Sequence, residues 1–333
     1  FPVIKKWLYS EKDIFLRELV SNAADAVTKH KRLVSLGEIE SAEEESYRIT
    51  VTLDKTAGTL TVSDNGIGMT EEEVTRYLGN IALSGALDFI HKYEGEQEKN
   101  AASGIIGHFG LGFYSAFMVA DSIEVITRSY TGGETVRWVC SADGSYEFTD
   151  APYALHRGTD IILHVTEEES AYLSATKVKE MLDKYCSFMP TEIYFVDADK
   201  EDSAEETSEE DTDAEEKTPA EPTPINDTTP LWQKAPSECT AEEYKDFYRK
   251  VFHDFREPLF WIHINADYPL NFKGILYFPK IKEQFGGIEG LSAVKNDKGE
   301  SLMEHLGKLY AAPFNTLVPD VGEENPPKVA VKF

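Results

Sequence analysis

Apolar and polar positions first separate along residues 13–36. At 100° per residue, Leu16, Val20, Ala23 and Val27 line one side of a helix, while Glu18, Asn22 and Asp25 fall within about 60° of one another on the other. Lys29 extends the polar file, and Gly37 predicts a C-cap. Taken alone, such a helix is most simply a surface element with a solvated face. Residues 47–53 then alternate, with Ile49, Val51 and Leu53 to one side. After a turn at 55–58, residues 59–63 alternate again, which predicts a hairpin. A helix is expected from Thr70, because Glu71, Glu72 and Glu73 suit a positive helix N-terminus. Between 80 and 106 periodicity fades, leaving either a disordered stretch or a functional lid. Residues 107–119 predict a glycine-rich turn running into an apolar helix. Three strands are expected between 122 and 149, another at 158–165, and a helix at 174–186 with Val178, Met181 and Leu182 inward. A helix at 242–252 and strands at 261–264 and 274–278 close the pattern, with no internal repeat.

Composition narrows the classes. A chain of 333 residues is long enough for two folded units. Its formal charge of -27 argues against a general nucleic-acid or anionic-membrane surface, while leaving room for one phosphorylated small molecule in a local pocket. Cys140, Cys186 and Cys239 are far apart and odd in number, which predicts free thiols in a reducing compartment and neither a disulfide framework nor a zinc site. No apolar run reaches the length of a membrane span, and no signal-peptide pattern opens the chain. Residues 201–216 hold ten acidic side chains and no basic one, followed by Pro219, Pro222 and Pro224. Such a composition cannot bury a core, so a disordered linker and a domain boundary are expected there.

Three segments carry chemistry. Asp64 ends a strand and is followed by Gly66 and Gly68, which allow a sharp turn and a close approach to a ligand. An ionised carboxylate only accepts hydrogen bonds, so it suits the exocyclic amine of adenine and opposes the carbonyl of guanine. Gly107, Gly110 and Gly112 precede an apolar stretch, where backbone N–H groups can meet phosphates; the spacing is neither a Walker A loop nor a dinucleotide fingerprint. On the first helix, Asn22 offers a neutral oxygen for a Mg²⁺ that carries phosphate oxygens. Glu18, one turn earlier, can orient or deprotonate the water attacking a γ-phosphate. Asp25 either holds the neighbourhood of Asp64 through water or joins the base pocket. A plain turn or a solvated helix face explains each segment singly; their order along the chain is the stronger signal.

The strings FLRELVSN from Phe15, DNGIGM from Asp64 and GHFGLGFYSAF from Gly107 resemble the 90-kDa heat-shock chaperone family, its bacterial branch above all. The order of Glu18, Asn22, Asp25, Asp64, Gly68, Gly110 and Gly112 is similar to the nucleotide boxes of the wider gyrase, chaperone, histidine-kinase and mismatch-repair ATPase superfamily. Residues 261–267 and 272–280 resemble the start of the chaperone middle domain. The resemblance implies an α+β fold: a two-layer sandwich of the Bergerat (GHKL) ATPase type at 1–197, with an ATP pocket. An acidic linker at 198–224 and the start of an α/β middle domain at 225–285 follow, with 286–333 unassigned. It implies ATP and ADP as ligands together with Mg²⁺, Glu18 as catalytic base, and Asn22 at Mg²⁺ and phosphate. Asp64 would bind the adenine amine, supported through water by Thr159, and Met69 and Phe113 would make apolar and backbone contacts to the nucleotide.

The implied function is that of an ATP-dependent chaperone, in which nucleotide closes a lid and clamps two protomers around unfolded or partly folded client proteins. A homodimer, no nucleic-acid or membrane partner, and a cytoplasmic location go with it. Three departures stand beside the resemblance. The family's strand ahead of the position of Phe1 is not in this sequence, Leu83 stands where many members carry Lys, and Arg256 is the last arginine, so no later one reaches the γ-phosphate. Weak turnover is therefore expected, and the alternative is a nucleotide-binding or client-holding module without meaningful hydrolysis. Residues 286–333 are left as a remnant of later domains, an altered reading or a short cap.

Overall fold

The first helix buries more of its circumference than a surface helix would. In the computed structural model, which describes residues 11–40, 46–80, 112–200, 223–266, 272–279 and 328–332, α1 runs Ile14–Ser35. Phe15, Leu16, Leu19, Val20, Ala23, Ala24, Val27 and Leu33 are buried, as the apolar spacing requires, but so are Ser21, Asp25 and His30. The polar file is therefore not a solvated face. At its start, the Asp13 carboxylate accepts from Tyr172 Oη (2.9 Å) and Lys177 Nζ (2.7 Å). At its end, Gly37 at φ +72 lets Glu38 N bond Leu33 O and Gly37 N bond Val34 O, the paired bonds of a glycine C-cap.

Strands β1 (Arg48–Asp54) and β2 (Thr59–Asp64) form the expected hairpin, and α2 (Glu71–Tyr77) starts on a capping box between Thr70 and Glu73. β3 (Ala120–Arg128), β4 (Val136–Ser141), β5 (Tyr146–Thr149) and β6 (Gly158–Val165) complete the predicted strands, followed by α3 (Ala175–Cys186). A strand that alternation did not reveal, β7 (Glu192–Asp197), pairs in parallel with β1. The sheet order is β5-β4-β3-β6-β2-β1-β7, antiparallel except for that last pair. Its helix-covered face packs against α1 and α3, a two-layer α+β sandwich with the core between the layers.

Register turns that face into rows. Leu53, Leu60, Leu163, Ile123 and Cys140 stand opposite one another across five strands, and Val51, Val62, Ile161, Val125 and Trp138 form the next row. The third row begins apolar at Ile193 and Ile49 and then becomes Asp64, Thr159 and Thr127. Because side chains alternate with period two, all three rows face the same layer. The core floor thus ends in a polar strip under α1.

One expectation needs correcting. The described part of the 107–119 stretch, Gly112–Met118, is a 3₁₀ segment of seven residues and not an α-helix. Phe113 to Met118 are all buried, so the segment has no amphipathic period, and it runs almost directly into β3. In the segment left unassigned, β10 (Lys328–Lys332) pairs antiparallel with β9 (Phe272–Phe278), which pairs with β8 (Phe260–Ala266).

Contacts divide the chain into units of residues Phe1–Thr229 and Pro230–Phe333. Residues 225–227 belong to the first. Ile225 N and the Asn226 side chain take up the backbone O and N–H of Ile193, and Asn226 Nδ2 donates to Met189 O and Thr191 O, covering the outer edge of β7. In the second unit, α4 (Ala241–Phe252) buries Tyr244, Phe247 and Tyr248, and Tyr277 Oη on β9 donates to Tyr244 O at 2.8 Å.

Candidate functional site

The carboxylate of Asp64 occupies the last inward position of β2, on the side of the sheet whose two neighbouring rows carry core residues. Burial pushes its pKa up from the usual carboxylate range to about 7. The Gly66 N–H, 2.8 Å from Oδ1, and the Arg157 cation pull it down, while Asp160 pushes it further up. The turn that follows is wedged between two elements. Ile67 N donates to Ala26 O on α1 at 3.0 Å, and Ile67 O accepts from Tyr130 N, just past β3, at 2.8 Å. Gly68 at φ +62 lies so close to β3 that a Cβ there would stand 1.8 Å from Arg128 O. Only glycine fits that position.

Beside Asp64 a hydroxyl pair completes the polar strip. Thr127 Oγ1 donates to Gly158 O (3.0 Å), accepts from Met69 N (3.0 Å) and lies 2.9 Å from Thr159 Oγ1. With the Thr127 proton directed at Gly158, the Thr159 hydroxyl donates to Thr127 and keeps acceptor capacity beside the carboxylate. Met69 N–H is spent on Thr127, so its side chain, which packs against the core, is what Met69 presents.

Helix α1 connects this strip to the glycine segment. Asp25, 5% exposed, precedes the Ala26 carbonyl that anchors the Asp64 turn. Two turns earlier, Glu18 lies against Gly112, where a Cβ would stand 2.6 Å from Glu18 Oε2. Arg17 donates to Glu18 Oε1 from Nε (3.1 Å) and Nη2 (2.5 Å). Asn22 lies between these ends, half-buried. The eight helical steps from Glu18 to Ala26 span about 12 Å along the axis, the scale of an extended nucleoside triphosphate.

The structure therefore places Asp25, Asp64, Gly68, Met69 and Thr159 around the middle of α1, where Ala26 holds the turn, and Glu18 with Gly112 nearer its start. Phe113 is buried, its ring 5.9 Å from that of Trp138 and edge-on to Tyr114. Gly110 and Leu83 lie outside the described residues. Sequence reasoning missed Thr127, whose inward position follows from Ile123 and Val125 on the same strand, and it missed His30 and Arg157. No local pattern marks those two, which meet only when α1 and the start of β6 are packed.

Among the described residues no helix is long and apolar enough to cross a membrane, and no three His, Cys, Asp or Glu side chains gather to hold a metal. Residues 10–156 match the family described as histidine kinase-, DNA gyrase B-, and HSP90-like ATPase, so fold and site together define an ATPase domain of the GHKL class. Residues 197–295 match the Hsp90 protein family. The chain is 50% identical over 290 residues to the chaperone protein HtpG of Porphyromonas gingivalis and 48% identical over 290 residues to that of Bacteroides fragilis; each match covers 85% of this chain and 39% of the relative. HtpG of Sulfurimonas denitrificans is 38% identical over 272 residues, covering 82% of this chain and 42% of that protein. The chain belongs to the Hsp90 family, and it spans 39% of the length of the relatives it matches best among these three.

Proposed function

We propose that the first unit binds Mg-ATP and ADP along α1 and hydrolyses ATP, serving a chaperone cycle. The observation that carries this is Asp64: a carboxylate on the core-facing side of the sheet, with an acceptor-rich threonine beside it and a glycine turn in front. Its ionised form has a place for one donor besides Gly66 N–H, which the exocyclic amine of adenine fills. Thr159 supports that contact through a water. The phosphates then run toward Asn22 and Glu18. Asn22 would hold a Mg²⁺ carried on the phosphates, and the ion would neutralise charge developing there. Glu18 activates the attacking water.

Lid closure, clamping of client proteins and pairing of two protomers belong to the same proposal and rest on the relationship to HtpG chaperones. Calorimetric titration with ATP and ADP, beside a steady-state phosphate-release assay, tests the core of it; a chain that binds neither nucleotide sinks the reading. Glu18→Ala is expected to lower phosphate release by about 100-fold or more while leaving ATP affinity within about twofold, since it removes a proton acceptor and not a base contact.

One feature favours a second reading, a binding module with little turnover. The Arg17 guanidinium is already engaged on the Glu18 carboxylate, occupying the Oε1 that would otherwise accept from the attacking water. In that case the unaltered chain and Glu18→Ala release phosphate at the same rate.

A further inference from the structure

Thr127 takes the last inward position of β3 and is fully buried. Three groups reach its hydroxyl. Met69 N can only donate, Gly158 O can only accept, and Thr159 Oγ1, 2.9 Å away, can do either. A hydroxyl has one proton and two acceptor positions. With its proton on Gly158 O, Thr127 accepts once from Met69 N–H and once from the Thr159 O–H, and nothing buried is left unpaired. Turning the Thr127 proton to Thr159 instead empties an acceptor position in a dry site and withdraws a bond from Gly158 O. Across the β2–β6 pairing, Thr159 stands directly opposite Asp64. A free threonine proton beside an ionised carboxylate turns to it, because a hydrogen bond to a charged acceptor is about twice as strong as a neutral one. Yet among the described residues Asp64 accepts from Gly66 N–H alone, on Oδ1.

We propose that Thr127 is a positioning residue for the base site: by accepting the Thr159 proton, it keeps Asp64 Oδ2 open for the amine of the ligand. The proposal rests on Asp64 being the adenine-binding group. The same hydroxyl carries a second constraint. Met69 closes the turn after Asp64. Its N–H on Thr127, with Tyr130 N on Ile67 O at 2.8 Å, ties that turn to the end of β3. Loss of the Thr127 hydroxyl therefore acts twice on one contact. It releases the Thr159 proton to Asp64 Oδ2, and it loosens the turn whose Gly66 N–H holds Oδ1. Both effects fall on the amine, and neither falls on the phosphates, which run toward Asn22 and Glu18 in the proposed pose. Thr127 touches no part of the nucleotide itself, so its influence passes through Thr159 and the turn.

Calorimetric titration of ATP and of purine riboside triphosphate, which is ATP without the 6-amine, tests this in the unaltered chain, Thr127→Val, Thr127→Ser and Asp64→Asn. The unaltered chain is expected to bind ATP about tenfold or more tightly than the analogue, the worth of one hydrogen bond to a charged group. Thr127→Val should cut that ratio to about twofold or less, chiefly by weakening ATP, because the analogue has no amine to lose. Thr127→Ser keeps the hydroxyl and should keep the ratio. A site that is merely loosened loses both ligands together and leaves the ratio as it was. An unchanged ratio in Thr127→Val, with ATP binding abolished in Asp64→Asn, overturns the role of Thr127 and leaves the base site standing. A ratio lost equally in Thr127→Ser assigns the effect to the methyl group and overturns the role of the hydroxyl. Unchanged ATP affinity in Asp64→Asn, or equal affinity of the unaltered chain for both ligands, removes the base site itself. If Thr127→Val fails to fold, neutron diffraction from the deuterium-exchanged unaltered chain gives the answer directly. Deuterium on Thr159 Oγ1 directed at Thr127 supports the assignment, and deuterium there directed at Asp64 overturns it.

Discussion

Asp64→Asn is expected to abolish adenine-nucleotide binding and, above pH 7, to make the first unit more stable than the unaltered chain. The binding loss follows from counting acceptors. One carboxylate oxygen takes the Gly66 N–H, and the other is left for the adenine amine. An asparagine has a single oxygen, so either Gly66 N–H goes unpaired or the amine meets an NH₂ group. A charge-assisted hydrogen bond contributes about 1.5–3 kcal/mol, and a like-against-like contact in its place takes the affinity down by about two orders of magnitude or more.

The stability gain follows from the raised pKa of the same group. Burial lifts the carboxyl from 3.8 to about 7 in the folded state, so the native chain holds this proton where the unfolded chain has lost it. Stability from this group is fullest below pH 3.8, declines as pH rises, and is fully lost above about pH 7. Replacing the acid by a neutral amide removes a penalty of up to about 4 kcal/mol at pH 8, less whatever solvent access to the half-buried side chain already relieves. Scanning calorimetry at pH 6 and pH 8 should show the advantage of Asp64→Asn growing with pH. An advantage that is equal at both would mean the carboxylate is not held against its ionisation. ATP affinity in the unaltered chain should in turn fall about tenfold for each pH unit below 7, because the bound amine requires the ionised form. Function and stability pull Asp64 in opposite directions, the signature of a group retained for its chemistry.

The elements that govern this site were legible in the sequence to different depths. The hairpin and its inward set, Ile49, Val51 and Leu53, follow from period-two alternation, and continuing that count along β2 through Leu60 and Val62 puts Asp64 on the core side. Helix α1 was legible as a helix, but the burial of Asp25 and His30 was not, because a polar file looks the same whether water or a pocket covers it. The strand β7 escaped because it joins the sheet as a parallel edge beside β1, a pairing that depends on tertiary placement and not on a local turn. The 3₁₀ form of Gly112–Met118 escaped because a run buried on all sides carries no period from which to read a helix type. Arg157 gave no local sign at all: its contacts with Asn65, Gly66 and His30 join residues far apart in the chain. Propensity and pattern reach the scaffold; long-range polar contacts become visible only once the scaffold is folded.

Gly158→Ala is expected to destabilise the first unit by about 3 kcal/mol or more, among the largest effects available to a single methyl group here. Gly158 opens β6 at φ +113, a conformation that L side chains rarely adopt, and an added Cβ would stand 2.0 Å from Asp64 O and 2.8 Å from the Asn65 Cα. Those are backbone atoms, so no rotamer change relieves the contact. β6 must move away from β2 where Asp64 faces Thr159, separating the carboxylate from its neighbouring hydroxyl. Gly132 is the appropriate control, since its φ of +90 imposes a comparable backbone penalty while a Cβ there meets nothing within 4 Å. Gly132→Ala should therefore shift the urea midpoint by only the strain contribution of about 1 kcal/mol, and Gly158→Ala by that plus the collision. If the two variants unfold at the same urea concentration, the close packing of Gly158 on Asp64 contributes nothing to stability. If Gly158→Ala is destabilised yet binds ATP with unaltered affinity, the juxtaposition of Asp64 and Thr159 is not what the nucleotide recognises.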